Sequence, residues 1–216
     1  MSRPDYHRAT RDAYRTLLAA KICTLPVDVS EICARCHDTK LVSLSEADRL
    51  MNYDRNFDPF GDGPSRTALT VRRWHEGHAC HTILWNDNEL SPKSGAFRFA
   101  IAHELAHVIL RHEGGQSTTS ELEANLFALH LLCPRPVLDV LCPRSAMEIS
   151  YLCGVPYGTA REAWEGLQQE NRYVDLDVWK QIFTAFELDE KRSVDDFISP
   201  VTRLAMDIRS RRRAYA

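Results

Sequence analysis

Apolar residues follow helical spacing along most of this chain, and one central stretch instead favours extended strands. Helices are predicted at 5–20, 96–112, 121–132, 146–153, 157–169, 175–187 and 200–212, with two shorter ones beginning near Asp28 and Ser45. Strands are predicted at 40–44, 67–74 and 78–85, and the segment 55–66 has the composition of a loop. We therefore expect an α+β fold with a small antiparallel sheet beside a helix pair and further helices toward the C-terminus.

One predicted helix is apolar nearly all round. Within 99–110 (FAIAHELAHVIL) the polar residues are His103, Glu104 and His107. Such a helix is normally buried, and buried polar groups are costly unless a partner satisfies them. The four-residue spacing puts both imidazoles on one face, where they can share a Zn²⁺ with Glu104 beside the open coordination position. The alternative is a core helix whose histidines hydrogen-bond to backbone groups.

A catalytic zinc site needs a third protein ligand, and His112 is a poor candidate for it. It follows His107 by five residues, which is about 140° around a helix, so it cannot join the pair. The metzincin pattern requires a Gly three residues and a His six residues after the second histidine. This chain has Leu110 and Glu113 at those positions. The third ligand must therefore come from another element.

A second apolar helix offers a better candidate for the third ligand. In 122–132 (LEANLFALHLL) the polar residues are Glu123, Asn125 and His130. Glu123 could bind the metal, although Ser120 and Glu123 also have the spacing of a capping box. His130 lies seven residues further on the same face, where it could support the ligand or be an ordinary core histidine.

Four stretches of the sequence resemble the ImmA/IrrE family of zinc metallo-endopeptidases. AFRFAIAHELAHVILRH and ELEANLFALHLLCP are similar to the two signature segments of that family. LPVDVSEICARCHDTKLVSLSE is similar to its entry region, and ISYLCGVPYGTAREAW to its helix-turn-helix-like segment. The likeness covers about 20–170, and no family pattern covers 171–216.

The resemblance implies a set of site residues. The two motif histidines and the Glu before Ala-Asn bind zinc in the family, which implies His103, His107 and Glu123 as ligands here. The motif Glu is the catalytic base, which implies that role for Glu104. Family members cleave helix-turn-helix repressors of mobile elements, phages or stress regulons, and so release transcription. The resemblance therefore implies a zincin-like fold, a Zn²⁺ cofactor and a protein substrate of that kind.

Three regions are expected along the chain. Residues 1–140 form the metallopeptidase core, 141–170 a helix-turn-helix-like segment packed on it, and 171–216 the C-terminal helices with a basic tail. The leading hypothesis is a gluzincin-like endopeptidase that acts on a protein regulator. Two alternatives are a DNA-binding regulator with a structural zinc site, and a catalytically inactive protein that binds a repressor.

Charge and composition limit the classes of partner that the protein is expected to bind. The chain has 27 Lys plus Arg against 30 Asp plus Glu, a formal charge of −3, which gives no general attraction to nucleic acid or anionic membranes. Residues 146–170 contain one basic residue and four glutamates, the wrong sign for a DNA-reading surface. No secretory leader or membrane-span run is visible, and seven irregularly spaced cysteines argue against a disulfide framework. We expect a cytoplasmic protein with neither a membrane nor a direct nucleic-acid partner.

The group that stabilises the reacting carbonyl oxygen is left open by the sequence. Candidates are His75, His78, His81, Tyr151 and Tyr157. The three histidines could also form a second metal site, but alternation along a strand would scatter them over both faces. We therefore expect a strand near the cleft whose exposed edge binds the substrate backbone.

Overall fold

A computed structural model describes residues 3–51, 67–112, 117–169 and 175–188. The helices are α1 (Tyr6–Ala19), α2 (Val29–Arg35), α3 (Leu44–Met51), α4 (Gly95–Ile109), α5 (Thr118–Leu132), α6 (Arg135–Leu141), α7 (Ala146–Cys153), α8 (Tyr157–Leu167) and α9 (Leu176–Ala185). The strands are β1 (Thr39–Ser43), β2 (Ala68–His75) and β3 (His78–Trp85). The predicted helix at 200–212 and loop at 55–66 lie outside the described residues.

The helices that carry the motifs begin at side-chain caps. The Ser94 hydroxyl accepts a hydrogen bond from the amide of Phe97 at the start of α4, and the Ser117 hydroxyl accepts one from Ser120 at the start of α5. Asp28 caps α2 as predicted, by accepting hydrogen bonds from two amides of its first turn. Each cap satisfies backbone donors that have no partner within the helix, so local sequence fixes where these helices begin.

The described strands form one mixed sheet in the order β1-β3-β2. β2 and β3 are an antiparallel hairpin, and the turn residues Glu76 and Gly77 both have positive φ, as tight hairpin turns require. β1 pairs with β3 in parallel. The prediction of an antiparallel sheet is therefore correct for the hairpin and wrong for β1, since the chain leaves β1 through α3 rather than through a hairpin turn.

The core is organised around α4 and α5. α4 packs against the sheet on one side and against α5 on the other, and α1 covers α5. Ile101 and Leu105 of α4 and Phe127 of α5 are fully buried. Burial of such a side chain contributes about 1.5–3 kcal/mol to stability. The packing of α4 between the sheet and α5 therefore fixes the relative position of α4 and α5.

The turn between α7 and α8, residues 154–156, packs closely on the beginning of α4. Gly154 ends α7 in the left-handed conformation, and its carbonyl oxygen accepts a hydrogen bond of 3.0 Å from the Arg98 guanidinium. A Cβ at Gly95 would lie 2.9 Å from the carbonyl carbon of Val155. The helix-turn-helix-like segment is therefore fitted to the core by close backbone contact.

α6 was not predicted. Pro134 ends α5 as expected, but Pro136 falls in the first turn of α6, where a missing amide proton costs nothing. Among the described residues, no single helix is long and apolar enough to cross a membrane, whereas α5 and α6, bent by 42°, meet that test when counted together.

Candidate metal centre

Three side chains from α4 and α5 converge on one point. The Nε2 atoms of His103 and His107 are 3.2 Å apart. Glu121 places Oε2 3.3 Å from the His103 Nε2 and Oε1 3.6 Å from the His107 Nε2. One ligand atom of each residue lies within 4.8 Å of the other two, which is close enough for a single metal ion to be shared.

The structure brings Glu121, and not Glu123, to the histidine pair. Two residues along a helix correspond to a rotation of about 200°, so the two side chains point to nearly opposite sides. Only one of these glutamates can therefore face α4. The capping-box alternative for Glu123 is wrong, because the capping box of α5 is formed by Ser117 and Ser120. A sequence signal for Glu121 exists: it shares a face with Asn125, whose amide oxygen lies 2.9 Å from the Nδ1 of His103.

The protonation states of these residues fit a metal ion. The buried Oε1 of Glu121 has no hydrogen-bond partner among the described residues, a costly state that a cation would relieve. Burial, and then the nearby imidazoles of His103 and His112, lower the pKa of His107 to about 4. His107 is therefore neutral near pH 7 and offers a lone pair. Two imidazoles and a carboxylate are a donor set of catalytic zinc sites.

Glu104 lies beside the three ligands without joining them. Its Oε2 accepts a hydrogen bond of 2.8 Å from the hydroxyl of Thr70 on β2. Burial raises the pKa of Glu104, while the Thr70 hydrogen bond and His103 oppose that shift. The carboxylate is thus held in one orientation and is more basic than an exposed one. Thr70 was not identified from the sequence, because a threonine on a half-buried strand carries no distinguishing signal.

A hydrogen-bonded chain lies behind His107. After α4, Arg111 adopts a positive φ of 53°, which turns the backbone so that the ring of His112 reaches His107. The Nδ1 atoms of the two rings are 2.9 Å apart. On its other side, the Nε2 of His112 lies 2.9 Å from Oε2 of Glu123, and the amide of Asp5 donates to Oε1 of that carboxylate at 2.6 Å. His112 is not one of the three converging ligands, but its ring contacts His107, which it could not do if α4 continued to residue 112.

His130 belongs to a different environment. Its Nδ1 lies 3.0 Å from the hydroxyl oxygen of Tyr14 on α1, and the two rings meet edge to face. The alternative of an ordinary core histidine therefore describes His130 better than a role beside Glu123.

A cleft of about 1150 Å³ opens in front of the three ligands. It is lined by β2, β3 and α4, and includes Arg72, His78 and His81. Burial and the Arg72 charge lower the pKa of His81, so this imidazole is neutral near pH 7. Of the five candidates for stabilising a carbonyl oxygen, His78 and His81 line this cleft, whereas His75, Tyr151 and Tyr157 do not.

A His-His-Glu ligand set and an oriented carboxylate, in one cleft, define a metallopeptidase-like site. Residues 65–165 match the family profile described as the IrrE N-terminal-like domain, peptidase M78. This part of the chain is therefore similar to that family, which confirms the resemblance to ImmA/IrrE proteins. No curated protein and no solved structure matches the chain.

The family match covers the site unequally. It includes β2, β3, α4, α5 and the helices up to most of α8, and therefore Glu104 and the three converging ligands. α1, α2 and β1 lie outside it. The amide of Asp5 that contacts Glu123 is thus contributed by a segment that the family profile does not include.

Proposed function

We propose that this protein is a zinc-dependent endopeptidase with a zincin-like fold that cleaves a protein regulator, a helix-turn-helix repressor of a mobile element, phage or stress regulon. The observation that carries the proposal is the convergence of His103, His107 and Glu121 beside a carboxylate, Glu104, that Thr70 orients toward the same cleft. A purely structural zinc site is usually closed by four protein ligands and needs no such carboxylate.

Each residue has a distinct task in this proposal. His103, His107 and Glu121 would hold the ion, which when bound would polarise the scissile carbonyl and lower the pKa of water at the site. Glu104 accepts a proton from the attacking water and then gives it to the leaving amine. Burial keeps its pKa raised, which suits a group that must both take and release a proton. Thr70 keeps the carboxylate pointed at the water.

The hairpin provides a surface for an extended substrate. β2 pairs with β3 along one edge, and in the part of the chain that the structure describes no strand pairs with its other edge. The Thr70 and Arg72 side chains of β2 line the cleft, and Trp74 further along the strand is 67% exposed. A substrate segment added to this edge would place its backbone beside Glu104.

Charge supports a protein rather than DNA as the partner. α7 and α8 contain three acidic residues and one basic residue: Glu148, Glu162 and Glu165, and Arg161. Phosphate binding requires the opposite balance. The proposed enzyme therefore acts on the repressor protein and releases transcription without reading DNA itself.

The test is direct cleavage of a candidate repressor. Helix-turn-helix proteins encoded beside this gene would be purified and incubated with the zinc-loaded protein, and the products measured by intact mass spectrometry. We expect two fragments from one of them with the wild type and none with Glu104→Gln, which should keep its zinc. Equal cleavage by Glu104→Gln, or a zinc-loaded wild type that cuts no repressor while binding its promoter DNA tightly, would overturn the proposal.

A further inference from the structure

We infer that His112 and Glu123 are positioning residues that hold the His107 imidazole from behind and tune its binding to the metal, and that the start of α1 completes this support. The inference rests on the metal site of the proposed function, but it does not depend on which substrate is cleaved. It assigns to Glu123 a role distinct from that of the direct ligand predicted by the sequence.

The geometry separates the two nitrogens of His107. Its Nε2 faces the Nε2 of His103 and the carboxylate of Glu121, whereas its Nδ1 faces the Nδ1 of His112 at 2.9 Å. If Nε2 offers its lone pair to the ion, the ring proton of His107 must be on Nδ1. This proton can be donated only to an unprotonated Nδ1 of His112, whose own proton is then on Nε2.

Glu123 completes that assignment. The Nε2 of His112 donates to Oε2 of Glu123 at 2.9 Å, and the amide of Asp5 donates to Oε1 at 2.6 Å. Every donor in the chain from Asp5 to His107 therefore meets one acceptor. A single tautomer of each ring satisfies the whole chain, so the ligating nitrogen of His107 is selected before the ion arrives.

Burial strengthens the hydrogen bonds of this chain. The side chains of His112 and Glu123 are 13% and 10% exposed. A carboxylate at such a position needs hydrogen-bond donors, and hydrogen bonds to a charged group are about twice as strong as neutral ones. Carboxylate–histidine–zinc chains of this type orient the ligating ring and increase its basicity. Here the carboxylate acts through a second imidazole rather than directly.

The two ligating histidines are supported differently. Behind His103 the acceptor is the neutral amide oxygen of Asn125 at 2.9 Å, whereas behind His107 the chain ends at the Glu123 carboxylate. Removal of that carboxylate should therefore weaken one ligand specifically. The competing explanation is that Glu123 only attaches α1 to α5, in which case its loss would lower stability and leave zinc affinity unchanged.

The test is a double-mutant cycle on zinc affinity. His112→Phe, Glu123→Gln and the double variant would be compared by competition with a chromophoric chelator at fixed pH. Each single change should weaken zinc binding about 10- to 100-fold, the usual effect of losing such a partner. The zinc affinity of the double variant should be no lower than that of the single variant that binds zinc less tightly, because both residues act through one chain. Glu165→Gln, an exposed change on α8, is the matched control and should bind like the wild type.

Two further measurements keep the test decisive if a variant folds poorly. His112→Gln retains one acceptor and one donor at similar spacing, so it should bind zinc more tightly than His112→Phe. In the zinc-loaded wild type, nitrogen-15 NMR should show the His107 proton on Nδ1. Equal affinities of the two His112 variants, or a proton on Nε2, would overturn the inference.

The outcomes separate this inference from the proposed function. If His103→Ala loses zinc while His112→Phe and Glu123→Gln bind like the wild type, the positioning role is refuted and the metal site stands. If Glu123→Gln abolishes binding and His112→Phe changes nothing, Glu123 is itself a ligand and the inference is again refuted. If His103→Ala binds zinc like the wild type, the metal site of the proposed function is refuted.

Discussion

Thr70→Val is the substitution that tests most directly how the fold prepares its catalytic carboxylate. Valine keeps the size and branching of threonine but removes the hydroxyl that donates to Glu104 at 2.8 Å. A hydrogen bond to a charged group contributes about 1.5–3 kcal/mol. Each 1.4 kcal/mol of positioning lost in the transition state is about tenfold in rate, so kcat/KM should fall by about tenfold or more when the carboxylate is no longer held in this orientation.

The pH dependence of Thr70→Val should move in a definite direction. The Thr70 hydrogen bond lowers the pKa of Glu104, whereas burial raises it, so removing the bond leaves burial less opposed and the pKa higher. Glu104 must be deprotonated to accept a proton, so activity is present above its pKa and lost as pH falls through it. The acid limb of the kcat/KM profile should therefore shift to higher pH.

The assay is the initial rate of repressor cleavage across a pH series, with zinc content measured in the same samples. Thr82→Val on β3 is the matched control, since this residue does not line the cleft, and its profile should superpose on that of the wild type. A Thr70→Val enzyme with full zinc content and an unchanged rate and acid limb would show that Thr70 does not orient Glu104.

Four further predictions follow from the same structure. Glu121→Gln should lower zinc affinity more than Glu123→Gln in chelator competition, and the reverse order would restore Glu123 as the third ligand. Free zinc at one hundred times its dissociation constant should stabilise the wild type by about 2.7 kcal/mol and raise Tm by about 5–10 °C, and His103→Ala should lose this gain in a calorimetric scan. In the folded protein, iodoacetamide should label the exposed Cys23, Cys80 and Cys142 first, because burial raises the pKa of Cys33 to about 12 and also shields it; early labelling of Cys33, read by mass spectrometry, would contradict the packing of α2. In a fluorescence titration at physiological salt the protein alone should bind promoter DNA only weakly, and tight sequence-specific binding would favour the regulator alternative.

Elements defined by short-range pattern were predictable from the sequence. The apolar helix around His103 and His107, the β2–β3 hairpin and the Asp28 cap are all present within a few residues of their predicted positions. In each case the signal depends on neighbours within about four residues, such as an i, i+4 pair or a cap and its first turn.

The third ligand could not be chosen by such patterns. Glu121 and Glu123 both lie in the first turns of α5, and the rotation of α5 about its axis decides which one meets α4. That rotation is set by the packing of α5 on α1 and α4. A phase analysis could still have favoured Glu121, because its spacing to Asn125 repeats the spacing of the histidine pair.

The contact of His112 with His107 was missed for a different reason. An angular offset of about 140° applies only while the helix continues. α4 ends at Ile109, and the positive φ of Arg111 redirects the chain. A non-glycine residue adopts a positive φ only when its surroundings favour it, so the turn at Arg111 cannot be predicted from residue type alone.

The hydrogen bond between Asp5 and Glu123 joins residues 118 positions apart. Closing so large a loop costs entropy before the contact stabilises anything, so we expect this hydrogen bond to form after the contacts between neighbouring elements. α4 and α5 are neighbours along the chain and can meet first, which brings the three converging ligands together without the support behind His107. Zinc capture should therefore occur in two stages, a loose one when α4 and α5 meet and a tight one when α1 docks. The zinc affinity measured during folding would then show whether α1 has already docked on α5.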